Sequence, residues 1–156
     1  VRTKDEDLRT IRPMKQQYLI VDGYNIIFAW DELREIAQGD IDAARRRLCD
    51  ILSSYAGFTK VKLVVVFDGY KQKGNPGEKE KYVSIQVVFT KENQTGDAYI
   101  EGLVAQIGPN YNVRVATSDA LVQLSSFRSG VLRMSARELR EEVEAAQKEM
   151  RQHYQK

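Results

Sequence analysis

The sequence has little of several residue types that small proteins use for covalent or metal cross-links or for reactive sites. Its 156 residues include one cysteine, one histidine, one tryptophan and three prolines. A single cysteine excludes an internal disulfide, and with so little cysteine and histidine a zinc site is a poor candidate. Because Cys49 falls on a helical pattern of apolar residues, we expect a buried, reduced thiol, as in a cytoplasmic protein.

Long hydrophobic runs and an excess of one charge are also missing. No apolar run approaches the roughly 20 residues that span a bilayer, and the charged N-terminus is unlike a signal peptide, so we expect no membrane partner. The net charge is +2, from 24 Lys and Arg against 22 Asp and Glu, which neither requires nor excludes an anionic partner. Hydrophobic residues make up 42% of the chain, enough for the core of one domain.

The order of sequence patterns predicts an α/β domain. Residues 1–17 are charged and poor in apolar positions, so we expect a linker or tail there and one domain over 18–156. Apolar and β-branched runs predict strands at 18–21, 62–67, 84–89, 113–116 and, at an edge, 131–134. Helical patterns lie between them, at 31–38, from Asp40 to near Gly57, from Thr95 to Gly108, around residues 121–124, and from Ser135 onward. Strands that alternate with helices pair in parallel, which predicts a mainly parallel sheet.

Carboxylates follow three of these strands. Asp22, Asp68 and Asp119 each come directly after a strand or its short terminal turn, while Asp97 and Glu101 lie one turn apart at the start of a helix. Right-handed crossovers bring the carboxyl ends of parallel strands to one edge of the sheet, so we expect the acids to converge. Clustered carboxylates repel each other, and a hard divalent cation such as Mg²⁺ or Mn²⁺ relieves the repulsion. The pattern therefore predicts metal-assisted hydrolysis of a phosphodiester.

Each of these residues also has a simpler interpretation. An aspartate after a strand often forms a turn or caps a helix, and Glu101 is typical of a surface charge. Asn25 fits a helix cap as well as it fits a residue that orients a ligand. A phosphatase with an aspartyl intermediate is disfavoured, because the second acid of its DxD pattern is missing after Asp22. A non-catalytic RNA- or ribosome-binding module is the remaining alternative, although a pure binder has no need for clustered negative charge beside RNA.

Basic residues occur in two stretches that suit phosphate contacts. Residues 45–47 are three arginines on the outer face of a predicted helix, and the loop 71–81 carries four lysines diluted by two glutamates. A solvated surface is the alternative for both stretches, and the loop composition predicts a mobile segment. The candidate RNA-binding residues are Arg45, Arg46, Lys71, Lys73, Lys79 and Arg128.

The segment Asp22-Gly23-Tyr24-Asn25-Ile26-Ile27 resembles the YacP-like branch of the NYN domain family, which are PIN-like ribonucleases. Similar motifs follow in the same order at 65–68, 88–92, 95–101, 113–119 and 133–139, so the resemblance covers residue 18 to about residue 150. It implies a PIN-like three-layer α/β/α sandwich and a metal-dependent endoribonuclease. In this branch it implies an enzyme that cuts messenger RNA on the ribosome.

The resemblance also implies roles for individual residues. The metal-binding acids would be Asp22, Asp97 and Asp119, and the supporting residues Asn25, Asp68, Thr95, Glu101 and Ser118, of which Thr95 and Ser118 would place hydroxyls beside the metal. The chain departs from the family at Val83, at Gly96 and at residues 128–130, which concerns the substrate-side loops rather than the acids. Residues 73–78 and the linker before Tyr18 resemble domains fused behind translation GTPases of the tetracycline ribosomal-protection type, and the first residue is Val, so we expect such a fusion.

Overall fold

A six-stranded sheet forms the centre of the molecule, whose computed structural model describes residues 15–118 and 131–154. In chain order the strands are β1 (Gln16–Asp22), β2 (Lys62–Phe67), β3 (Glu78–Tyr82), β4 (Ile85–Phe89), β5 (Tyr111–Ala116) and β6 (Leu132–Met134). They are arranged in the order β3-β4-β2-β1-β5-β6, and every neighbouring pair is parallel except β3 with β4. The predicted α/β fold with a mainly parallel sheet is confirmed.

Helices cover both faces of the sheet. Within the described residues they are α1 (Gly23–Ala29), α2 (Asp31–Gly39), α3 (Ile41–Thr59), α4 (Gly96–Ile107) and α5 (Ala136–Tyr154), with a 3₁₀ turn at Gly108–Asn110. Helix α4 packs against one face of the sheet through Ile100 and Val104, and the other four helices pack against the opposite face of the sheet. The result is the three-layer α/β/α sandwich that the family resemblance implies.

The strand sequences follow from burial on both faces. In β2, Val64 and Val66 face α4, whereas Leu63, Val65 and Phe67 face the opposite helices, and all five are buried. A strand covered on both sides needs apolar side chains at every position rather than at alternate ones. The continuous run of residues 62–67 therefore identified β2 with its correct ends.

Helix ends match the capping signals in the sequence. Asp40 accepts a hydrogen bond through Oδ1 from the backbone N–H of Ala43, 3.1 Å away, at the start of α3. Before α5, Ser135 and Glu138 form a reciprocal capping box, with N···O distances of 3.0 and 2.9 Å. The backbone N–H of Ser135 stabilises the ionised form of Glu138 and lowers the pKa of that carboxyl group. These predictions are confirmed because capping depends on residues close together in sequence.

Several predicted boundaries need correction. Strands β1 and β5 begin at Gln16 and Tyr111, each two residues earlier than predicted, and residues 23–29, where no helix was predicted, form α1. The segment 78–82 was expected to be loop but forms β3, an exposed edge strand held by its antiparallel ladder to β4. Its charged sequence carries no apolar alternation, so only the tertiary pairing reveals it. Of the tail predicted over 1–17, Gln16 and Gln17 belong to β1, and residues 1–14 lie outside the described residues, as does the helix predicted around 121–124.

Cys49 is buried, as its place on an apolar helical pattern predicted. The thiol is buried and free, and its burial raises its pKa from the usual 9.0 to about 12. None of the described helices has an apolar stretch long enough to cross a bilayer.

Candidate active site at the carboxyl edge of the sheet

The carboxylate of Asp22 is held by side chains from two other segments. Thr117 donates from Oγ1 to Oδ2 of Asp22 at 3.1 Å, and the amide of Asn25 donates from Nδ2 to the same oxygen. Ser118 in turn donates from Oγ to Oδ1 of Asn25 at 2.8 Å. A carboxylate only accepts hydrogen bonds, so the nitrogen of the Asn25 amide must face Asp22 and its oxygen must face Ser118. The four residues form a continuous network that fixes the orientation of the Asp22 side chain.

Strand register explains why Asp22 and Thr117 meet. Strands β1 and β5 pair in parallel with Val21 opposite Ala116, so the next residue of each strand emerges at the same edge. Thr117 is 1% exposed, and the sequence did not single it out because the family motif pointed to Ser118. The missed signal was its position one residue after a buried strand that pairs with β1. Asn25 lies inside α1 and its amide contacts Asp22, so it does not cap this helix.

Asp68 reaches the same edge from the end of β2 and contacts the start of α4. Its Oδ2 accepts a hydrogen bond from the backbone N–H of Gly96 at 3.1 Å, and its Oδ1 accepts one from that of Tyr70 at 2.8 Å. Both oxygens thus receive backbone donors. Gly96 is the first residue of α4, so the loss of helix preference expected for an interior glycine does not apply.

Asp97 is the second residue of α4 and is exposed, and Glu101 lies exposed one turn further along the helix. Thr95 caps this helix, because its Oγ1 accepts a hydrogen bond from the backbone N–H of Ala98 at 3.0 Å. The Asp68 contact brings the N-terminus of α4 to the edge where β1 and β2 end. The ends of β1 and β2, with Asp22 and Asp68, and the start of α4, with Asp97, therefore lie at one edge of the sheet, which we call the rim.

The third predicted metal ligand, Asp119, lies outside the described residues. The chain approaches it from Ser118, whose hydroxyl contacts Asn25, so β5 delivers the chain to the rim beside Asp22. Within residues 15–118 and 131–154 no three His, Cys, Asp or Glu side chains form a group able to hold a metal ion. The predicted set of three acids thus stays a prediction. The two described members offer only carboxylate oxygens, which fit Mg²⁺ or Mn²⁺ better than zinc.

Arg45 makes three contacts within the protein. Its Nη1 donates to the hydroxyl of Tyr24 at 2.9 Å, its guanidinium pairs with Asp42, and it lies 5.8 Å from the ring centroid of Phe89. Tyr24 follows Asp22 by two residues and packs on the buried ring of Phe67. Arg45 therefore anchors the residue beside the rim, whereas the neighbouring Arg46 is exposed.

The loop after β2 is tied to the loop after β4. We call residues 69–77 and 90–95 together the double loop. Asn75 donates from Nδ2 to the carbonyl of Thr90, and accepts hydrogen bonds from the backbone N–H groups of Gly77 and Glu92, all at 2.9 Å. The segment that the sequence predicts to be a mobile loop thus makes backbone hydrogen bonds to the loop after β4.

The predicted basic residues of this region differ in their surroundings. Lys71 and Lys73 are exposed on the double loop. Lys79 lies on β3 with its Nζ 5.7 Å from the ring centroid of Tyr99 in α4. Arg128 lies outside the described residues. Four of the candidate cations, Arg46, Lys71, Lys73 and Lys79, are therefore exposed on the described surface.

Comparisons with known proteins agree with the fold. Residues 19–156 match the family model of the YacP-like NYN domain. The chain is 41% identical over 132 residues to the uncharacterized protein YacP of Bacillus subtilis (strain 168), a match that covers 83% of this chain and 76% of that protein.

Solved structures show the same similarity. A crystal structure of Rae1 (YacP) from Bacillus subtilis is 37% identical with a TM-score of 0.75, covering 88% of this chain and 79% of that one. A structure of a mutant of the same protein is 34% identical with a TM-score of 0.70, covering 86% and 79%. Sequence and fold match over most of the chain, so the similarity extends beyond the fold alone. The chain belongs to the YacP-like NYN domain family, which implies an RNA-related nuclease function.

Proposed function

We propose that this protein is a metal-dependent endoribonuclease that hydrolyses RNA phosphodiester bonds, with messenger RNA on the translating ribosome as its substrate. The observation that carries the proposal is the oriented carboxylate of Asp22, which Asn25 and Thr117 hold at the same edge of the sheet as Asp97. Family membership supports RNA as the polymer.

The acids fit a hard divalent cation. Asp22, Asp97 and Asp119 would hold Mg²⁺ or Mn²⁺, because carboxylate oxygens are the ligands that these ions prefer. The ion, when bound, would activate a water molecule and neutralise charge on the phosphate that is attacked in line.

The protein's own contribution is to place these acids. Thr117 and Asn25 converge on one oxygen of Asp22, which fixes the direction of its carboxylate group. Asp68 holds the first turn of α4 and with it Asp97, and Glu101 adds negative charge one turn away. Removal of a hydrogen bond that orients a metal ligand typically lowers metal affinity or activity by about 10-fold to 100-fold.

Basic residues around the rim complete the proposed substrate site. Arg46, Lys71 and Lys73 are exposed and would contact RNA phosphates, as would Lys79 and Arg128. Arg45 contributes by holding Tyr24 in place.

A calorimetric titration with Mn²⁺ tests whether the protein binds a metal ion at the rim. We expect wild type to bind Mn²⁺ and the variants Asp22→Asn and Asp97→Asn to bind it at least about ten times more weakly, since each loses a charged ligand. The variant Asp31→Asn removes an exposed carboxylate on α2 that pairs with Arg34, and serves as a matched control. Equal Mn²⁺ affinity in all four proteins would contradict a metal site at this rim.

The ribosome part is tested in a translating extract with and without a translation inhibitor. Cuts that need both Asp22 and translation would support a ribosome-coupled nuclease, and cuts that need only Asp22 would indicate a general one. Cosedimentation with ribosomes without any cuts that depend on Asp22 would favour the non-catalytic binding module.

A further inference from the structure

Tyr70 presents an aromatic ring to solvent beside the rim. It follows Asp68 by two residues and is 42% exposed. The other strongly exposed tyrosine among the described residues is Tyr154, which is 82% exposed near the C-terminal end of α5. Tyr154 lines a groove with Lys60 and Ser84 at the opposite edge of the sheet.

The backbone of Tyr70 is fixed on both sides. Its N–H donates to Oδ1 of Asp68 at 2.8 Å, and its carbonyl accepts a hydrogen bond from the N–H of Asn93 at 3.0 Å. The ring thus extends from a backbone that is already held in place. A rigid aromatic side chain loses little conformational entropy when a ligand binds to it.

Close packing of the double loop supports this position. Gly69 donates its backbone N–H to Oγ1 of Thr90 at 2.8 Å. A Cβ at Gly69 would lie 2.3 Å from the carbonyl oxygen of Thr90 and 2.5 Å from Nδ2 of Asn75, so only glycine fits there. Gly69, the residue before Tyr70, is therefore held between Asn75 and Thr90. The backbone that carries the Tyr70 ring thus has a defined position.

Positive charge follows the ring along the chain. Lys71 and Lys73 are exposed, and neither has an ion-pair partner within the described part of the chain. An exposed aromatic ring flanked by lysines is the combination that binds single-stranded nucleic acid, because rings stack on unpaired bases while cations contact the backbone. Bases inside a duplex offer no free face for stacking.

We propose that Tyr70 is a stacking platform for one unpaired base of single-stranded RNA next to the rim, with Lys71 and Lys73 on the adjoining phosphates. The inference rests on the proposed function for the identity of the polymer, and it adds the residue that would bind a base of that RNA. Tyr70 is a binding residue in this account and takes no part in bond breaking.

The test measures binding separately from cleavage. The full chain carrying Asp97→Asn is titrated, by fluorescence anisotropy at several salt concentrations, against a short single-stranded RNA oligonucleotide and against the same sequence as a duplex. Tyr70→Ala is compared with Tyr70→Phe, which keeps the ring, and with Tyr154→Ala, which removes an exposed tyrosine at the other edge. A Lys71→Ala/Lys73→Ala variant reports the charge contribution, and thermal melts show that each variant is folded.

We expect Tyr70→Ala to weaken single-strand binding roughly ten-fold or more and to leave duplex binding unchanged, while Tyr70→Phe and Tyr154→Ala bind like the parent chain. The salt dependence should stay the same in Tyr70→Ala, since no charge is lost, and its slope should fall by about 1.4 in the double lysine variant. Equal binding by Tyr70→Ala and the parent, equal losses for both RNA forms, or no measurable binding of single strands by the folded parent would each overturn the inference.

Failure of the proposed function gives a different pattern. If RNA cleavage requires Asp22 and Asp97 but folded Tyr70→Ala binds single strands normally, the stacking platform is wrong and the nuclease stands. If Tyr70 controls single-strand binding while no acid-dependent cleavage occurs, the stacking platform stands and the nuclease is wrong.

Discussion

The carboxylate of Asp68 accepts a hydrogen bond from the backbone N–H of Gly96 at 3.1 Å and so joins the end of β2 to the first residue of α4. Its second oxygen accepts the N–H of Tyr70 at 2.8 Å, which links the same carboxylate to the double loop. One side chain thereby connects three parts of the rim: the strand that carries it, the helix that carries Asp97, and the loop that carries the lysines. We infer that Asp68 positions the site and is not itself a metal ligand.

Asp68→Asn should slow RNA cleavage by about ten-fold while leaving Mn²⁺ affinity close to that of wild type. An asparagine side chain has one acceptor oxygen, so it can keep one of the two backbone donors and loses the other. Parallel measurements of cleavage rate and Mn²⁺ binding separate the two effects. A loss of Mn²⁺ affinity as large as that of Asp97→Asn would make Asp68 a metal ligand and refute its positioning role.

Thr117→Val should reduce cleavage by roughly 10-fold to 100-fold, because valine matches threonine in shape but cannot donate to Oδ2 of Asp22. Thr117→Ser retains a hydroxyl and is the matched control, for which we expect a rate near that of wild type. Single-turnover kinetics on one mapped RNA site provide the measurement. If the valine variant cleaves as fast as the serine variant, Thr117 has no part in orienting Asp22.

Gly23→Ala should destabilise the fold by about 1–3 kcal/mol through overpacking. A Cβ at Gly23 would lie 2.4 Å from Cε1 of Phe67, and that ring is confined by Tyr24 and Phe89, whose centroids are 5.0 and 5.3 Å away. Urea unfolding measures the change in the free energy of unfolding.

Gly39→Ala is the control for that substitution. Gly39 ends α2 and has no atom within 4 Å of an added Cβ, so alanine should be neutral or stabilise by up to about 1 kcal/mol. Similar free energies of unfolding for the two variants would contradict the packing described around Phe67.

Cys49 should resist alkylation in the native protein at pH 8 and react quickly once the chain is unfolded in urea. Burial raises the pKa of its thiol from 9.0 to about 12, and the thiolate is the reactive form. Because the folded pKa is raised, the contribution of Cys49 to stability is complete below pH 9.0 and is lost as the pH rises toward 12. Labelling with a thiol reagent followed by mass spectrometry checks this, and rapid native labelling would show that the thiol is accessible.

The features that the sequence predicted are those that depend on nearby residues. The run of residues 62–67 and the caps Asp40, Thr95 and Ser135 each report on their own segment, and the structure confirms all four. The arrival of Asp22 and Asp68 at one edge of the sheet was predictable too, because β1 and β2 are parallel and parallel strands end at the same edge.

The features that the sequence did not predict depend on pairing between distant segments. The role of Thr117 requires the register of β5 on β1, which no local pattern encodes. Strand β3 has a charged sequence and exists through its ladder to β4, and the order of the double loop comes from contacts between Asn75 and Thr90. In each case the information lies in two segments together and in neither one alone.

The central claim, that this carboxylate rim cuts RNA, is tested most directly by mapping new 5′ ends on messenger RNA in a translating extract. The extract receives wild type, Asp22→Asn, Asp97→Asn or the control Asp31→Asn, each shown to be folded by its thermal melt. We predict the same set of new 5′ ends with wild type and Asp31→Asn, and a loss of at least about a hundred-fold in their yield with either rim variant, since several kcal/mol of transition-state stabilisation would be removed. New 5′ ends that persist at wild-type yield in both rim variants would contradict the account.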